Sequence, residues 1–255
     1  MKEEIELCTR KKILTMLYKQ LALDYCCTAE EVADPYSHFT EYHELEGRRR
    51  FEEQDTCALK VAVVNGKLLF TGKKEIVKAC REKYETHSGA WFMDVANFRT
   101  LDSILKPHGY RLKTAHPFFL PGGKAKEYEC DVTIRRYQKA EIKQFEGDAR
   151  FDEAFCFDEK SPDMLGVAAV QEEEIIGMAG ASADSPYFWQ IGINVAKEAE
   201  GRHIATKLVS LITQDILEQG KVPYYGTSMS NLASQRVAAN TGFEVAWVEL
   251  LAERE

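Results

Sequence analysis

The chain has 255 residues, 45% hydrophobic and 29% charged, with a formal net charge of −8. That balance excludes a disordered chain, a coiled coil and a collagen-like fibre. No apolar run approaches the roughly 20 residues of a membrane span, and the charged start MKEEIELCTRKK lacks the apolar core of a signal peptide, so the expectation is a cytoplasmic protein without a membrane partner.

In chain order, Leu7, Ile13, Leu14, Leu17, Tyr18 and Leu21 recur at three- and four-residue steps and predict an opening helix. Thr28 and Glu31 have the spacing of a capping box, which starts a second, short helix. In ALKVAVVNGKLLFTG, two β-rich runs flank Asn65-Gly66 and predict a hairpin. Helices follow in KKEIVKACREKYE and around FRTLDSILKPHGY, the latter stopped by Pro107 and Gly109. The stretch TAHPFFLPGGKAKEYEC has the composition of a linker and divides the chain into 1–125 and 126–255. The run Arg48-Arg49-Arg50 reads as a solvated face or, less simply, as a contact for an anionic group.

The second half alternates. DVTIRRY is a strand, EIKQFEG and FDEAFCF are short helices, and MLGVAAV and EEEIIGMAGAS form a hairpin turning at Glu172-Glu173. WQIGINV is a further strand, followed by a helix from about Gly201 to Gln219 that Gly220 closes. Ile204, Leu208, Leu211, Ile212 and Ile216 share one face of that helix. VPYYGTSMS is a strand, NLASQRVAANTGF a helix and EVAWVELLA a last strand. The fold class is therefore α/β (α+β), a mixed sheet flanked by helices, preceded by a smaller α+β domain.

Charge is uneven between the halves. Residues 1–130 carry 21 Lys+Arg against 20 Asp+Glu, whereas 131–255 carry 12 against 21. The acidic second half disfavours nucleic acid, whose binding comes largely from phosphate neutralisation, and suits a cationic substrate. Solubility alone also accounts for it. Cys8, Cys26, Cys27, Cys57, Cys80, Cys130 and Cys156 are odd in number and include no C-x-x-C pair, so neither a disulfide framework nor a zinc site is expected. No other metal site or Ser-His-Asp arrangement is visible.

The sharpest local feature is WQIGINV-AKEAEGRHIATKLVSLI, a strand that runs through a polar turn into an amphipathic helix. Free N–H groups and the helix dipole at Gly201, Ala205 and Thr206 make an anion site suited to a pyrophosphate. Arg202 and Lys207 add charge nearby. Downstream, Asn231, Ser234 and Ala238 share a helix face before Gly242-Phe243, with Asn231 equally readable as an ordinary N-cap.

In this order and spacing, residues 131–255 resemble the GNAT superfamily of acetyl-CoA-dependent N-acetyltransferases. IIGMAGASADSPYFWQIGINV with NLASQRVAANTGF is similar to the subgroup that includes the zwittermicin-resistance acetyltransferases. The superfamily signature Gln/Arg-x-x-Gly-x-Gly/Ala begins five residues after a strand Val, and here Val195 precedes Glu200-Gly201-Arg202-His203-Ile204-Ala205 in that register. Glu200 stands in place of Gln/Arg and His203 in place of the first motif Gly.

The resemblance implies a mostly antiparallel mixed sheet and acetyl-CoA as co-substrate. It implies that Ile193 and Val195 offer backbone groups to pantetheine, and that Gly201, Arg202, His203, Ile204, Ala205 and Thr206 line the pyrophosphate, with Asn231 and Ser234 meeting the cofactor from the next helix. The superfamily's frequent proton-donating Tyr falls at Ala238, which leaves Tyr225, Tyr224 or Ser228 as donors. Asp184, in the loop before WQIGINV, is the expected base, and Tyr187, Trp189 and Gln190 shape an acceptor pocket. The implied reaction is direct attack of a primary amine, of a small molecule, on the thioester. The alternatives are a non-catalytic acetyl-CoA sensor and a protein N-acetyltransferase. A homo-oligomer is possible but not readable from the sequence.

Overall fold

Two strands, β4 (Tyr110–Pro121) and β10 (Phe243–Arg254), run from one compact part of the chain into another. The computed structural model describes residues 2–49 and 57–255, with side chains from Arg10 onward. One unit comprises the described residues up to Phe118 together with Val245–Glu255, and the other is Phe119–Glu244. This division differs from the expected 1–125 and 126–255. Thr114–Pro121, expected as linker, lie in β4, and the last strand returns to the first unit. Proline is compatible with a strand where its missing donor is not needed.

In the first unit, α1 (Lys2–Asp24) buries Ile13, Leu17 and Leu21 at i, i+4 and i+8, while Leu14 stays exposed. The Thr28 capping box forms with both reciprocal bonds and starts α2 (Ala29–Ala33). β1 (His38–Glu41) pairs in parallel with β3 (Lys67–Gly72), which makes the predicted hairpin with β2 (Leu59–Val64). Asn65 and Gly66 take φ of 50° and 77°, the left-handed pair a tight hairpin turn requires. β10 pairs with the other edge of β2 in antiparallel register. α3 (Lys74–Tyr84) and α4 (Val95–Leu105) pack Ile76, Cys80, Tyr84 and Leu101 against Val61 and Phe70 of the sheet. Both β2 and β3 are almost wholly buried, which explains their continuous apolar runs.

The same unit holds a buried ionic cluster. Arg49 donates to Asp24 and to Glu249 (2.7 Å), and Lys60 lies 3.5 Å from Glu249. The Arg49 guanidinium rests over the Trp247 ring at 4.8 Å. Arg48 covers the Tyr42 ring at 4.6 Å. The arginine run thus supplies an interior cation and a ring contact, whereas Arg50 falls outside the described residues.

In the second unit the strand order is β9-β8-β7-β6-β5. β5 (Thr133–Gln138), β6 (Asp163–Gln171), β7 (Glu174–Ala183) and β8 (Phe188–Val195) are antiparallel neighbours. β9 (Val222–Gly226) runs parallel to β8. The β6–β7 turn is built from Glu172 and Glu173 at φ 50° and 66°, without any glycine. α5 (Lys139–Ile142) is a single turn, and FDEAFCF is not the helix expected. Phe151 ends a 3₁₀ turn, and Asp163 accepts from the N–H of Cys156 and Phe157 to hold the following loop.

α6 (Ile204–Glu218) covers one sheet face, with Ile204, Leu208, Ile212 and Ile216 buried and Leu211 half-buried. The Phe145, Phe151 and Phe155 cluster covers the other. α7 (Leu232–Asn240) follows β9, which stops at Gly226 short of the predicted Ser230. No helix among the described residues is long and apolar enough to cross a membrane.

Burial pushes the Asp24 and Glu249 carboxyls up, but Arg49 and Lys60 outweigh it and hold both below their ordinary values. Groups with depressed folded pKa contribute stability above the ordinary carboxylate range of about 4 and lose it as pH falls through the folded values. We therefore expect equilibrium unfolding of wild-type protein to show stability falling below about pH 4. Asp24→Asn should cost about 3–5 kcal/mol at pH 7 by leaving Arg49 under-compensated.

Candidate active site where two parallel strands part

Backbone parity along β8 locates the site. Ala196 N–H donates to Ile176 C=O (2.9 Å), and the register with β7 is unbroken from Gly177↔Val195 to Ala183↔Trp189. Even-numbered residues of β8 therefore turn their backbone polar groups toward β7. Odd-numbered ones face β9, as Tyr187 does when its C=O accepts from Val222 N–H (2.9 Å). The β8–β9 register, however, ends at Gln190↔Tyr224. Beyond it, the N–H and C=O groups of Ile191, Ile193 and Val195 face a gap that no strand fills among the described residues. Backbone groups without a strand partner are free to pair with groups from outside the sheet.

At the far end of β8 the chain passes through Glu200–His203 into α6. Gly201 has φ 76° and His203, the N-cap, φ 60° and ψ 14°. Here lies the physical reason for a glycine at the motif position His203 occupies: the turn is left-handed there, a conformation that costs a side chain about 1–2 kcal/mol. The His203 ring stacks on Tyr128 with centroids 3.8 Å apart and planes 6° apart. Cys130 Sγ lies 3.5 Å from the Arg202 carbonyl. Lys207 N–H bonds back to His203 C=O, while the N–H groups of Ile204, Ala205 and Thr206 are first-turn donors without intrahelical partners.

The side chains of this turn divide. Ile204 and Thr206 are buried, so only their backbones face outward, and the Thr206 hydroxyl is not an exposed donor. Arg202 is exposed but donates to Gln171 (2.9 Å). Asn231 caps α7, its side chain accepting from Ser234 N–H at 3.1 Å, as an ordinary N-cap does.

Trp189 and Ile191 project into the α6-side core; Gln190, Gly192 and Asn194 occupy the opposite face. Tyr224 OH, from β9, donates to Asp184 and lies 3.0 Å from Gln190 Oε1. Ser182 Oγ donates to the other Asp184 oxygen at 2.7 Å. Asp184 is only 5% exposed, not in a loop open to substrate as the sequence suggested, so it reaches the fork through Tyr224 and Gln190.

Tyr225, one residue on, is buried on the α6 side beside Phe243 and bonded to Ser234. Burial pushes its phenol up, the Ser234 bond pulls it down, and the Glu153 charge pushes it up, with a raised value resulting. Glu153 itself escaped the sequence reading, since nothing in FDEAFCF marks it. Among the described residues no three His, Cys, Asp or Glu are grouped to hold a metal ion.

Residues 131–243 match the model of the acetyltransferase (GNAT) family. The match spans 113 of the 255 residues and lies wholly within the second unit. No curated protein sequence matches the chain.

Solved structures that it resembles include a GCN5-related N-acetyltransferase-like protein from Streptococcus suis, at 10% identity and TM-score 0.48 over 83% of this chain and 89% of that one. A GNAT-family acetyltransferase from Novosphingobium aromaticivorans has 16% identity and TM-score 0.41 over 58% and 68%. An aminoglycoside N-acetyltransferase in complex with CoA has 23% identity and TM-score 0.34 over 45% and 92%.

Tyr224→Phe removes a donor from the buried Asp184 carboxylate and should destabilise the protein by about 1–3 kcal/mol in chemical denaturation. A loss below about 0.3 kcal/mol would mean that the carboxylate is satisfied without Tyr224.

Proposed function

We propose that the chain is an N-acetyltransferase that moves an acetyl group from acetyl-CoA to the primary amine of a small molecule. The observation that carries this is the half-edge of β8, unpaired from Ile191 to Val195 and leading into a helix N-terminus with free donors. The residues present fit the co-substrate: odd-numbered backbone groups suit the amides of pantetheine, and Ile204–Thr206 N–H groups suit a diphosphate. His203 narrows this turn relative to glycine but leaves the backbone donors in place. Asn231 and Ser234, at the start of α7, adjoin the fork through Tyr225.

Bound acetyl-CoA supplies an acetyl thioester, electrophilic at its carbonyl carbon. The β8 N–H groups donate to the carbonyl oxygen as negative charge grows on it. Tyr225 holds a proton on the α6 side, where the departing sulfur takes it up. On the other face Tyr224 accepts the proton that the amine sheds and passes its own to Asp184 as the C–N bond forms and C–S breaks, while Gln190 Oε1 accepts a hydrogen bond from the amine. The antibiotic-like polyamines suggested by the zwittermicin-resistance resemblance belong to the acceptor class that an acidic domain attracts.

Coenzyme A release in the presence of a primary-amine panel tests the reading, and we expect turnover. Tight acetyl-CoA binding without turnover would make the domain a sensor, and turnover on peptides alone would make it a protein acetyltransferase. Ala205→Pro deletes one first-turn N–H at a position where proline is tolerated. It should weaken acetyl-CoA binding about tenfold by calorimetry, the worth of one charge-assisted hydrogen bond.

Tyr225→Phe should lower kcat on the order of 10²-fold. Because the phenol is raised, its proton is retained through neutral pH and lost only above about pH 10, so the wild-type kcat profile should show no falling limb from this group below that pH.

A further inference from the structure

One side chain ties the proposed acyl-bearing strand to the turn on its opposite face. Asn194 lies between Ile193 and Val195, whose backbones form the unpaired edge. Its Oδ1 accepts from the N–H of Glu153 (3.0 Å) and of Ala154 (2.7 Å), and its Nδ2 donates to Asp152 Oδ1 (3.1 Å). These three bonds go to three successive residues. The turn can come this close because two strand positions lack a side chain. A methyl group at Gly192 would collide with the Glu153 carbonyl, and one at Gly180 with the Ala154 carbonyl.

The backbone of Glu153 is thus fixed beside the unpaired stretch of β8 while its carboxylate stays exposed, and its charge helps raise the Tyr225 phenol. A carboxylate on a turn held by three hydrogen bonds pays less ordering entropy on binding a cation than one on a loose loop.

We propose that Asn194 is a positioning residue that pins the 152–154 turn to β8 and sets the Glu153 carboxylate where a cationic acceptor amine enters. The inference rests on the acetyl-transfer reading for what the amine does next, but not for its binding. Glu153 draws the ammonium to the face opposite Tyr225. Asp152 is held back by Asn194 and does not compete.

The test uses the full chain with ethanolamine and spermidine as probes. Glu153→Gln, an exposed change, and Asn194→Ala should each raise the amine KM about tenfold and leave the acetyl-CoA Kd within about twofold. The double variant should be no worse than Glu153→Gln alone, the signature of two residues acting as one unit. The backbone amides of Glu153 and Ala154 should exchange faster in Asn194→Ala, and unchanged exchange overturns the positioning role. If Asn194→Ala does not fold, Glu153→Gln still reads the acceptor half.

Without acetyl-CoA, calorimetry should show amine binding by wild type and its loss in Glu153→Gln. If the wild type binds neither probe, or Glu153→Gln leaves KM unchanged while coenzyme A is released, the inference falls and acetyl transfer stands. Amine binding that needs Glu153 but is followed by no coenzyme A release does the reverse.

Discussion

The second unit depends on one constraint: a β-strand must have partners for its backbone, yet β8 loses half of them after Gln190. Sheets rarely leave interior edges unmet, because an orphaned buried amide costs as much as a lost hydrogen bond. A fold that keeps such an edge has reason to. Here the exposed rail has Tyr225 on one face and Tyr224, bonded to Asp184, on the other, the two tyrosines being adjacent residues of β9. In the reaction proposed above, strand alternation alone would divide the two halves of the chemistry. A proton donor and a proton acceptor two or more residues apart on the same face would meet each other; on successive residues the sheet keeps them apart.

The glycines of this unit answer to the same constraint. Gly180 and Gly192 let a turn lie directly on the strands. A bulkier residue at either would lift the turn and, with it, Glu153. His203 is the counterexample, since it keeps a left-handed conformation that glycine would adopt freely. Its ring finds Tyr128 to stack on, an interaction of about 0.5–1.5 kcal/mol that offsets much of the strain. The substitution is therefore a local exchange of backbone ease for side-chain contact, and it leaves the donors of the first turn of α6 where they were.

Much of the architecture was legible in the sequence because the signals were local. Thr28–Glu31, Asn65-Gly66, Gly109, Gly220 and Asn231 each act within a few residues of themselves, and each sits as the pattern implied. The misreadings are non-local. TAHPFFLP has linker composition but becomes strand because it joins a sheet that nothing in its own residues announces. FDEAFCF has helical apolar spacing, yet Asp163, six residues beyond its end, and Asn194, some 40 residues on, capture its amides and hold it as turns. The arginine run looked like surface and became interior because its counter-charges, Asp24 and Glu249, lie 25 and 200 residues away. In the candidate site, the α6 turn was visible as a spacing, whereas the burial of Asp184 and the placing of Glu153 required the folded chain.

The return of β10 to the first unit has a consequence for biosynthesis. Arg49 and Lys60 share Glu249, which is translated some 190 residues after Lys60. On the ribosome, then, the amino-terminal unit carries two cations destined for its interior with Asp24 as the one member of the cluster's acid pair yet made. The inserted segment 119–244 is complete before that deficit is relieved. Vectorial synthesis thus favours the inserted unit reaching its native state first, while the unit that begins the chain must await the arrival of its own last strand.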